Sequence, residues 1–160
     1  MAVTRSDALV STDWLALRLG APDVKVADAT WFLPTMRRDA KKEYGEAHIP
    51  GAVYFDIDDI ADKENPLPHM LPDAAKFSSR VRKLGLGDGV RIVLYDNNRY
   101  SASARAWWMF RVFGHNDVVV LDGGLAKWRA EGRPVDDAVV TPRERHFTAR
   151  QNHLLVRDLD

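Results

Sequence analysis

The feature of the sequence that most constrains the fold is a regular alternation of short apolar segments with segments of helical periodicity. Four apolar segments are short and bounded by turn residues, as the strands of a buried sheet are. They are residues 24–28, 52–55, 91–95 and 118–121. Because helical patterns separate them, the sequence predicts an α/β domain with a mainly parallel central sheet and helices on both faces. We expect residues 24–28 to be the first strand.

The segments between the expected strands have the start and stop signals of helices. These segments are residues 11–19, 39–47, 72–84, 102–113 and, after Gly123-Gly124, the residues up to about 130. Ser11 is a good N-cap, and Gly85 is suited to end the third helix. The fourth helix is apolar almost all round and includes Trp107 and Trp108. We therefore expect it to lie in the middle of the domain against the sheet.

The length of the chain allows a single domain with a core of its own. It has 160 residues, of which 46% are hydrophobic, and two domains are improbable at this size. The periodic patterns stop after Gly132. We therefore divide the chain into an N-terminal extension (residues 1–10), a domain (residues 11–134) and a linker or tail (residues 135–160).

Composition excludes several classes of function. Lys and Arg together number 23, as do Asp and Glu, and no block of like charge offers a footprint for nucleic acid. No apolar run approaches the roughly 20 residues that span a membrane, and the start lacks the apolar region of a signal peptide, so we expect a cytoplasmic protein. The chain has no cysteine, which excludes disulfides and thiolate chemistry. Its five histidines lack metal-ligand spacing, so we expect neither metal nor another cofactor.

Two short segments could carry chemistry but favour a structural interpretation. His48 lies in residues 45–52, which form a helix end, a fixed turn and a strand start, so we interpret it as a structural hydrogen-bonding residue. Asp56 and Asp58 follow a strand, as in phosphatases that use an aspartate nucleophile and magnesium. The residues that follow Asp58 do not fit that class. A helix start, where the helix dipole stabilises carboxylates, explains the two aspartates better.

The loop of residues 96–101 is the best candidate for a ligand site. It follows a strand and leads to a helix N-terminus, where successive backbone N–H groups can form an anion cradle at the carboxyl end of the sheet. Its first residue is Asp96, whose carboxylate would itself occupy or repel the anion position. A plain connecting loop is the alternative.

Three motifs occur in the order in which the rhodanese family has them. They are Gly-Glu-Ala-His-Ile-Pro-Gly-Ala at residues 45–52, Trp-Trp-Met-Phe-Arg at 107–111, and Val-Leu-Asp-Gly-Gly at 120–124, followed by Trp128. Over residues 11–134 the chain resembles the N-terminal domain of thiosulfate and 3-mercaptopyruvate sulfurtransferases. One departure is Ser103-Ala104, where relatives commonly have Ala-Pro, and it bears on the path of the loop at residues 96–101.

The resemblance implies two similar α/β domains, of which only the second has the catalytic cysteine, in the loop that corresponds here to residues 96–101. That cysteine becomes a persulfide and passes its sulfur to cyanide, a thiol or a protein acceptor. Asp96 holds the corresponding position here. The chain is then a supporting domain without catalysis of its own, whose partners are a C-terminal catalytic rhodanese domain of the same polypeptide or gene and a small sulfur donor at the domain interface. The candidate residues for the interface or pocket are Trp31, Asp96, Asn97, Asn98, Arg99, Tyr100 and Ser101.

A second hypothesis is a stand-alone, non-catalytic rhodanese-like module that binds or regulates another protein. The reading frame separates the two hypotheses, because only the supporting domain requires it to continue past Asp160 into a segment with a cysteine loop. For Trp31, ordinary core packing is the alternative to an interface role. Neither the sulfur donor, the acceptor nor the oligomeric state follows from the sequence.

Overall fold

A five-stranded parallel sheet forms the centre of the domain. The computed structural model describes residues 8–65, 67, 70–97 and 101–156, with the side chain of Ser101 left out. The strands are Leu9–Val10 (β1), Val24–Asp28 (β2), Val53–Tyr54 (β3), Arg91–Tyr95 (β4) and Val118–Leu121 (β5). Their order across the sheet is β1-β5-β4-β2-β3, and every neighbouring pair is parallel. This confirms the predicted parallel α/β architecture.

Within the described residues, four helices connect these strands and a fifth follows β5. They are Thr12–Ala16 (α1), Ala40–Glu46 (α2), Ala74–Lys83 (α3), Ser101–Val112 (α4) and Gly124–Ala130 (α5). In three of them a polar residue accepts a backbone N–H of the first turn: Ser11 from Trp14, Asp39 from Lys42, and Asp73 from Lys76. Because these caps satisfy N–H groups that a helix leaves free, they set the starts of α1, α2 and α3. No helix in the described part of the chain is long and apolar enough to cross a membrane.

The two faces of the sheet each bury a separate apolar cluster. On one face Ile92 and Leu94 of β4 pack with side chains of α3 and α4, including Phe77 and Phe110. On the other face the alternate residues of β4 pack with α1, α2 and α5. This alternation along one strand is the period of two expected for a sheet covered on both sides. Helices on both faces are thus confirmed.

Two details differ from the expectations drawn from the sequence. The first strand is Leu9–Val10 within the expected extension, and it pairs with β5; two residues are too few to show a strand pattern. Trp108 is only partly buried, although it packs against the apolar cluster on the α3 and α4 face. Its Nε1 donates to the Leu155 carbonyl at 3.0 Å, and the Arg105 guanidinium lies 4.6 Å from its ring centroid.

Residues 135–156 run along the domain with no helix or strand except a short 3₁₀ turn, His153–Leu155. Phe147 is 3% exposed and completes an aromatic cluster with Phe77, Phe110 and His115. The Arg150 N–H donates to the Phe113 carbonyl at 2.9 Å. The predicted boundary at residue 134 stays a prediction, but the segment after it contributes a side chain to the core.

Candidate functional site

Acidic residues meet at one edge of the sheet. Asp28 is the last residue of β2, and Asp56, Asp96 and Asp122 come shortly after β3, β4 and β5. Because the strands are parallel, their carboxyl ends share the edge at which α/β proteins bind ligands. Asp28 and Asp96 are each only 3% exposed. This edge is therefore the candidate site, and the two buried carboxylates are its central groups.

Asp96 connects the end of β4 to the start of two helices. Its Oδ2 accepts the N–H of Ser103, in the first turn of α4, at 2.7 Å. Its backbone carbonyl accepts the N–H of Leu125, at the start of α5, at 3.0 Å. A Cβ at Gly124 would lie 2.5 Å from that carbonyl oxygen, so only glycine permits this approach. The carboxylate lies where the dipole of α4 stabilises a negative charge.

Asp28 is held in a buried network beside Asp96. Its Oδ1 accepts from the backbone N–H of Thr30 at 2.8 Å and from the Thr30 hydroxyl at 2.5 Å, and the Tyr95 hydroxyl also bonds its carboxyl group. Burial raises the pKa of Asp28 from 3.8 to about 6; the Thr30 hydrogen bonds oppose this, and the charge of Asp96 adds to it. Asp28 therefore changes its protonation state close to neutral pH.

Thr30 and Tyr95 tie this network to the neighbouring segments. Thr30 Oγ1 accepts the N–H of Asn97 at 3.0 Å, which fixes the start of the candidate loop to the end of β2. The Tyr95 hydroxyl accepts the N–H of Ile49 at 3.2 Å. Burial, together with the charge of Asp28, raises the pKa of Tyr95 well above its ordinary value, so its hydroxyl stays neutral. The hydrogen bond from Asn97 to Thr30 therefore fixes the start of the loop at residues 96–101.

A pocket of about 280 Å³ adjoins this network on the side of α2 and α5. Asp28, Thr30 and Asn97 line it together with Tyr44 and Arg129. Carboxylate, hydroxyl, amide and guanidinium groups can all bind a small polar molecule. Of the residues that the structure describes, no three side chains of metal-binding type are grouped so that they could hold an ion.

The structure places part of the predicted site at this edge. Asp96 and Asn97 both lie there, and Trp31 follows β2 by three residues. The Trp31 ring is packed in part against the core on the α3 and α4 face, and its Nε1 donates to Asp58 Oδ2 at 3.0 Å. Of the other predicted site residues, Asn98, Arg99 and Tyr100 and the side chain of Ser101 lie outside the described residues.

Two other sequence candidates have structural contacts. Asp56 Oδ1 accepts the N–H groups of Asp58 at 3.1 Å and Asp59 at 3.3 Å, as a residue that begins a turn does. His48 is 1% exposed, with Nδ1 at 2.9 Å from the Tyr44 carbonyl and Nε2 at 3.2 Å from Asp136 Oδ1. These contacts agree with the structural interpretation of both segments.

Sequence reasoning did not single out Asp28, Thr30 or Tyr95. The available signal in the sequence was the polar residue Asp28 at the end of the predicted strand of residues 24–28. Asp28 stands opposite Tyr95 in the register of β2 and β4. That pairing depends on which strands are neighbours, and the order along the chain does not give it.

Comparison with known proteins gives consistent matches. The family model described as "Rhodanese-like domain" matches residues 11–131. Thiosulfate/3-mercaptopyruvate sulfurtransferase 1, mitochondrial, of Arabidopsis thaliana is 46% identical over 137 residues, which are 86% of this chain and 36% of that protein. Human 3-mercaptopyruvate sulfurtransferase is 41% identical over 157 residues, which are 94% of this chain and 52% of that protein. The chain thus spans between about a third and a half of the length of these relatives.

A solved structure agrees with these matches. The crystal structure of SseA from Escherichia coli, described as a 3-mercaptopyruvate sulfotransferase with the rhodanese fold, superposes with a TM-score of 0.86 at 38% identity. The match covers 91% of this chain and 56% of that one. Fold and sequence therefore point to the same family, and in each comparison the chain corresponds to one part of a longer protein.

Proposed function

This chain belongs to the family of rhodanese-like domains, and from that premise we propose that it is the supporting, non-catalytic domain of a thiosulfate or 3-mercaptopyruvate sulfurtransferase. The relatives that carry these names are about twice to three times as long as the stretch they share with it. We propose that the remaining length in this protein is a C-terminal rhodanese domain that carries the catalytic cysteine.

The observation that carries this proposal is the position of Asp96. Sulfur transfer of this kind needs a thiolate, which attacks the transferable sulfur of the donor and becomes a persulfide. The leaving group is sulfite from thiosulfate, or the enolate of pyruvate from 3-mercaptopyruvate, which then takes up a proton. Cyanide or a thiol then removes the terminal sulfur and regenerates the thiolate. In the loop after β4 this chain has a buried carboxylate instead, bonded to the N-terminus of α4. A carboxylate oxygen cannot hold a sulfane sulfur, and the chain has no cysteine.

We further propose that the loop at residues 96–101 and Trp31 face the catalytic domain and line one side of a pocket for a small sulfur donor. Two observations support this. Asp96 and Asn97 lie at the carboxyl edge of the sheet, beside a pocket, and the Trp31 ring is only partly buried. Aromatic and arginine side chains, which Trp31, Arg99 and Tyr100 would supply, are enriched at such contacts.

The experiment that tests the proposal begins with the reading frame beyond Asp160. We expect it to encode a second rhodanese domain with a cysteine in the loop after its fourth strand. In the longer protein, exchange of that cysteine for serine should abolish thiocyanate formation from thiosulfate and cyanide, because serine cannot form a persulfide. A reading frame that ends near Asp160 would favour the stand-alone binding module instead, and activity that survives the exchange would refute the proposal.

The cytoplasmic location expected from the sequence stays a prediction. One of the relatives is named as a mitochondrial protein. Fractionation of cells that express the native protein tests the prediction, and recovery with mitochondria would contradict it.

A further inference from the structure

A second pocket, of about 570 Å³, lies near the starts of β2 and β3, away from the strand ends that carry Asp28 and Asp96. One wall is formed by the strands and by the turn after α3, and the other by residues 140–145. Its apolar lining comes from the partly exposed residues Leu84, Val140 and Pro142, with the nearly buried Val53 and Leu86 behind them. Its volume lies in the range of about 300 to 1,000 Å³ that is typical of small-molecule sites.

The wall formed by residues 140–145 is held by backbone contacts. The Arg145 N–H donates to the Arg82 carbonyl at 3.1 Å, and the Asp88 N–H donates to the His146 carbonyl at 2.9 Å. A Cβ at Gly85 would lie 2.9 Å from the Arg143 carbonyl oxygen. Because the segment and the turn after α3 are in direct contact, the pocket has a defined shape.

The charges around this pocket are unbalanced. Lys25, Arg143 and Arg145 line it together with one carboxylate, Glu144. Glu144 is engaged elsewhere, since its Oε1 lies 3.5 Å from the Arg82 guanidinium, which is not part of the lining. Within the described part of the chain, Lys25 and Arg143 take part in no ion pair. A chain with equal numbers of basic and acidic residues therefore has a locally positive pocket whose walls are apolar in part.

We propose that this pocket binds an organic anion with an apolar body and one sulfonate, carboxylate or phosphate group. The apolar side chains of the lining contact the apolar body of the ligand, while Lys25 and the two arginines bind its oxyanion group. Such a ligand touches both β2 and residues 140–145, so it would stabilise the packing of that segment on the domain. This site is independent of the proposed supporting role, because it uses none of the residues at the carboxyl edge of the sheet.

The test uses two fluorescent probes with the same aromatic body. 8-Anilinonaphthalene-1-sulfonate has an apolar body with one sulfonate, and N-phenyl-1-naphthylamine is the same body without the charge. Fluorescence titration of the full chain should give one site for the sulfonate. Lys25→Met should weaken its binding about 10-fold or more, as loss of one hydrogen bond to a charged group does, and should leave binding of the neutral probe unchanged. Lys127→Met, an exposed lysine on α5, is the matched control and should change neither affinity more than about twofold.

A second variant tests the location of the probe. Thr141 lines the pocket and is itself exposed, so Thr141→Trp should fill the space and prevent binding of both probes. Sulfonate binding that is absent in the wild type, unchanged in Lys25→Met, or retained in a folded Thr141→Trp would overturn the proposal. If circular dichroism shows that Thr141→Trp does not fold, the comparison of Lys25→Met with Lys127→Met decides.

Discussion

Exchange of Asp28 for asparagine should make the stability of the domain less dependent on pH. Asp28 is 3% exposed, and its pKa in the folded protein is about 6 against an ordinary value of 3.8. The folded state therefore holds this proton more tightly than the unfolded state does. Protonated Asp28 therefore stabilises the folded state. This stabilisation is complete below pH 3.8, the pKa of Asp28 in the unfolded chain, and is lost as the pH rises through about 6.

The size of the effect follows from the two pKa values. One pKa unit corresponds to about 1.4 kcal/mol, so ionisation of Asp28 in the folded protein costs about 3 kcal/mol. About 2 kcal/mol of this loss falls between about pH 4.5 and pH 7.5. Asparagine resembles the protonated carboxyl group and does not ionise, so Asp28→Asn should show no such loss.

Urea unfolding of the wild type and the variant at a series of pH values measures this difference. The free energy of unfolding of Asp28→Asn minus that of the wild type should rise by about 2 kcal/mol from about pH 4.5 to pH 7.5, or about 1 M in the urea midpoint. Titrating groups that do not interact with Asp28 cancel in this difference. The control is Asp137→Asn, an exposed aspartate, for which the difference should stay flat. A flat difference for Asp28→Asn as well would refute the description of the buried network.

Three further substitutions test other parts of the structure. Phe147→Ala should cost about 3 to 5 kcal/mol, as a buried aromatic does, whereas Val139→Ala, at a side chain 92% exposed, should stay within about 0.5 kcal/mol; equal urea midpoints would mean that residues after 134 do not complete the core. Trp108→Ala should cost less, about 2 kcal/mol, because that side chain is only partly buried; a loss as large as that of Phe147→Ala would contradict its partial exposure. Asp96→Cys should give a thiol with a pKa below the ordinary value of about 8.5, because the N-terminus of α4 stabilises the thiolate; since the position is only 3% exposed, thiolate absorbance follows the titration, and a value of about 8.5 would show that the loop has no anion cradle.

Much of the fold could be predicted because local signals and tertiary packing agree. Val24–Asp28, Arg91–Tyr95 and Val118–Leu121 have the expected bounds, since each is a short segment with an alternating or mostly apolar pattern between turn residues. The helix caps at Ser11, Asp39 and Asp73 involve residues within one helical turn, so the sequence alone predicts these helix starts. The motifs of the family then indicated which α/β fold these elements form.

The differences arise where an interaction joins distant parts of the chain. β1 has two residues and exists because it pairs with β5 across more than 100 residues of sequence. Phe147 lies in a segment without periodicity, and its burial depends on Phe77 and Phe110. The network around Asp28 forms only when β2 and β4 are neighbours in register. In each case the partner is specified by the fold and not by adjacent residues.

The central claim is that this chain supports sulfur transfer without performing it. Its most direct test is an assay of the purified 160-residue chain for thiocyanate from thiosulfate and cyanide, and for pyruvate from 3-mercaptopyruvate. We predict no product above a heat-killed control, because the chain has no thiol that could hold a persulfide. Sustained turnover by a preparation free of other sulfurtransferases would contradict the claim.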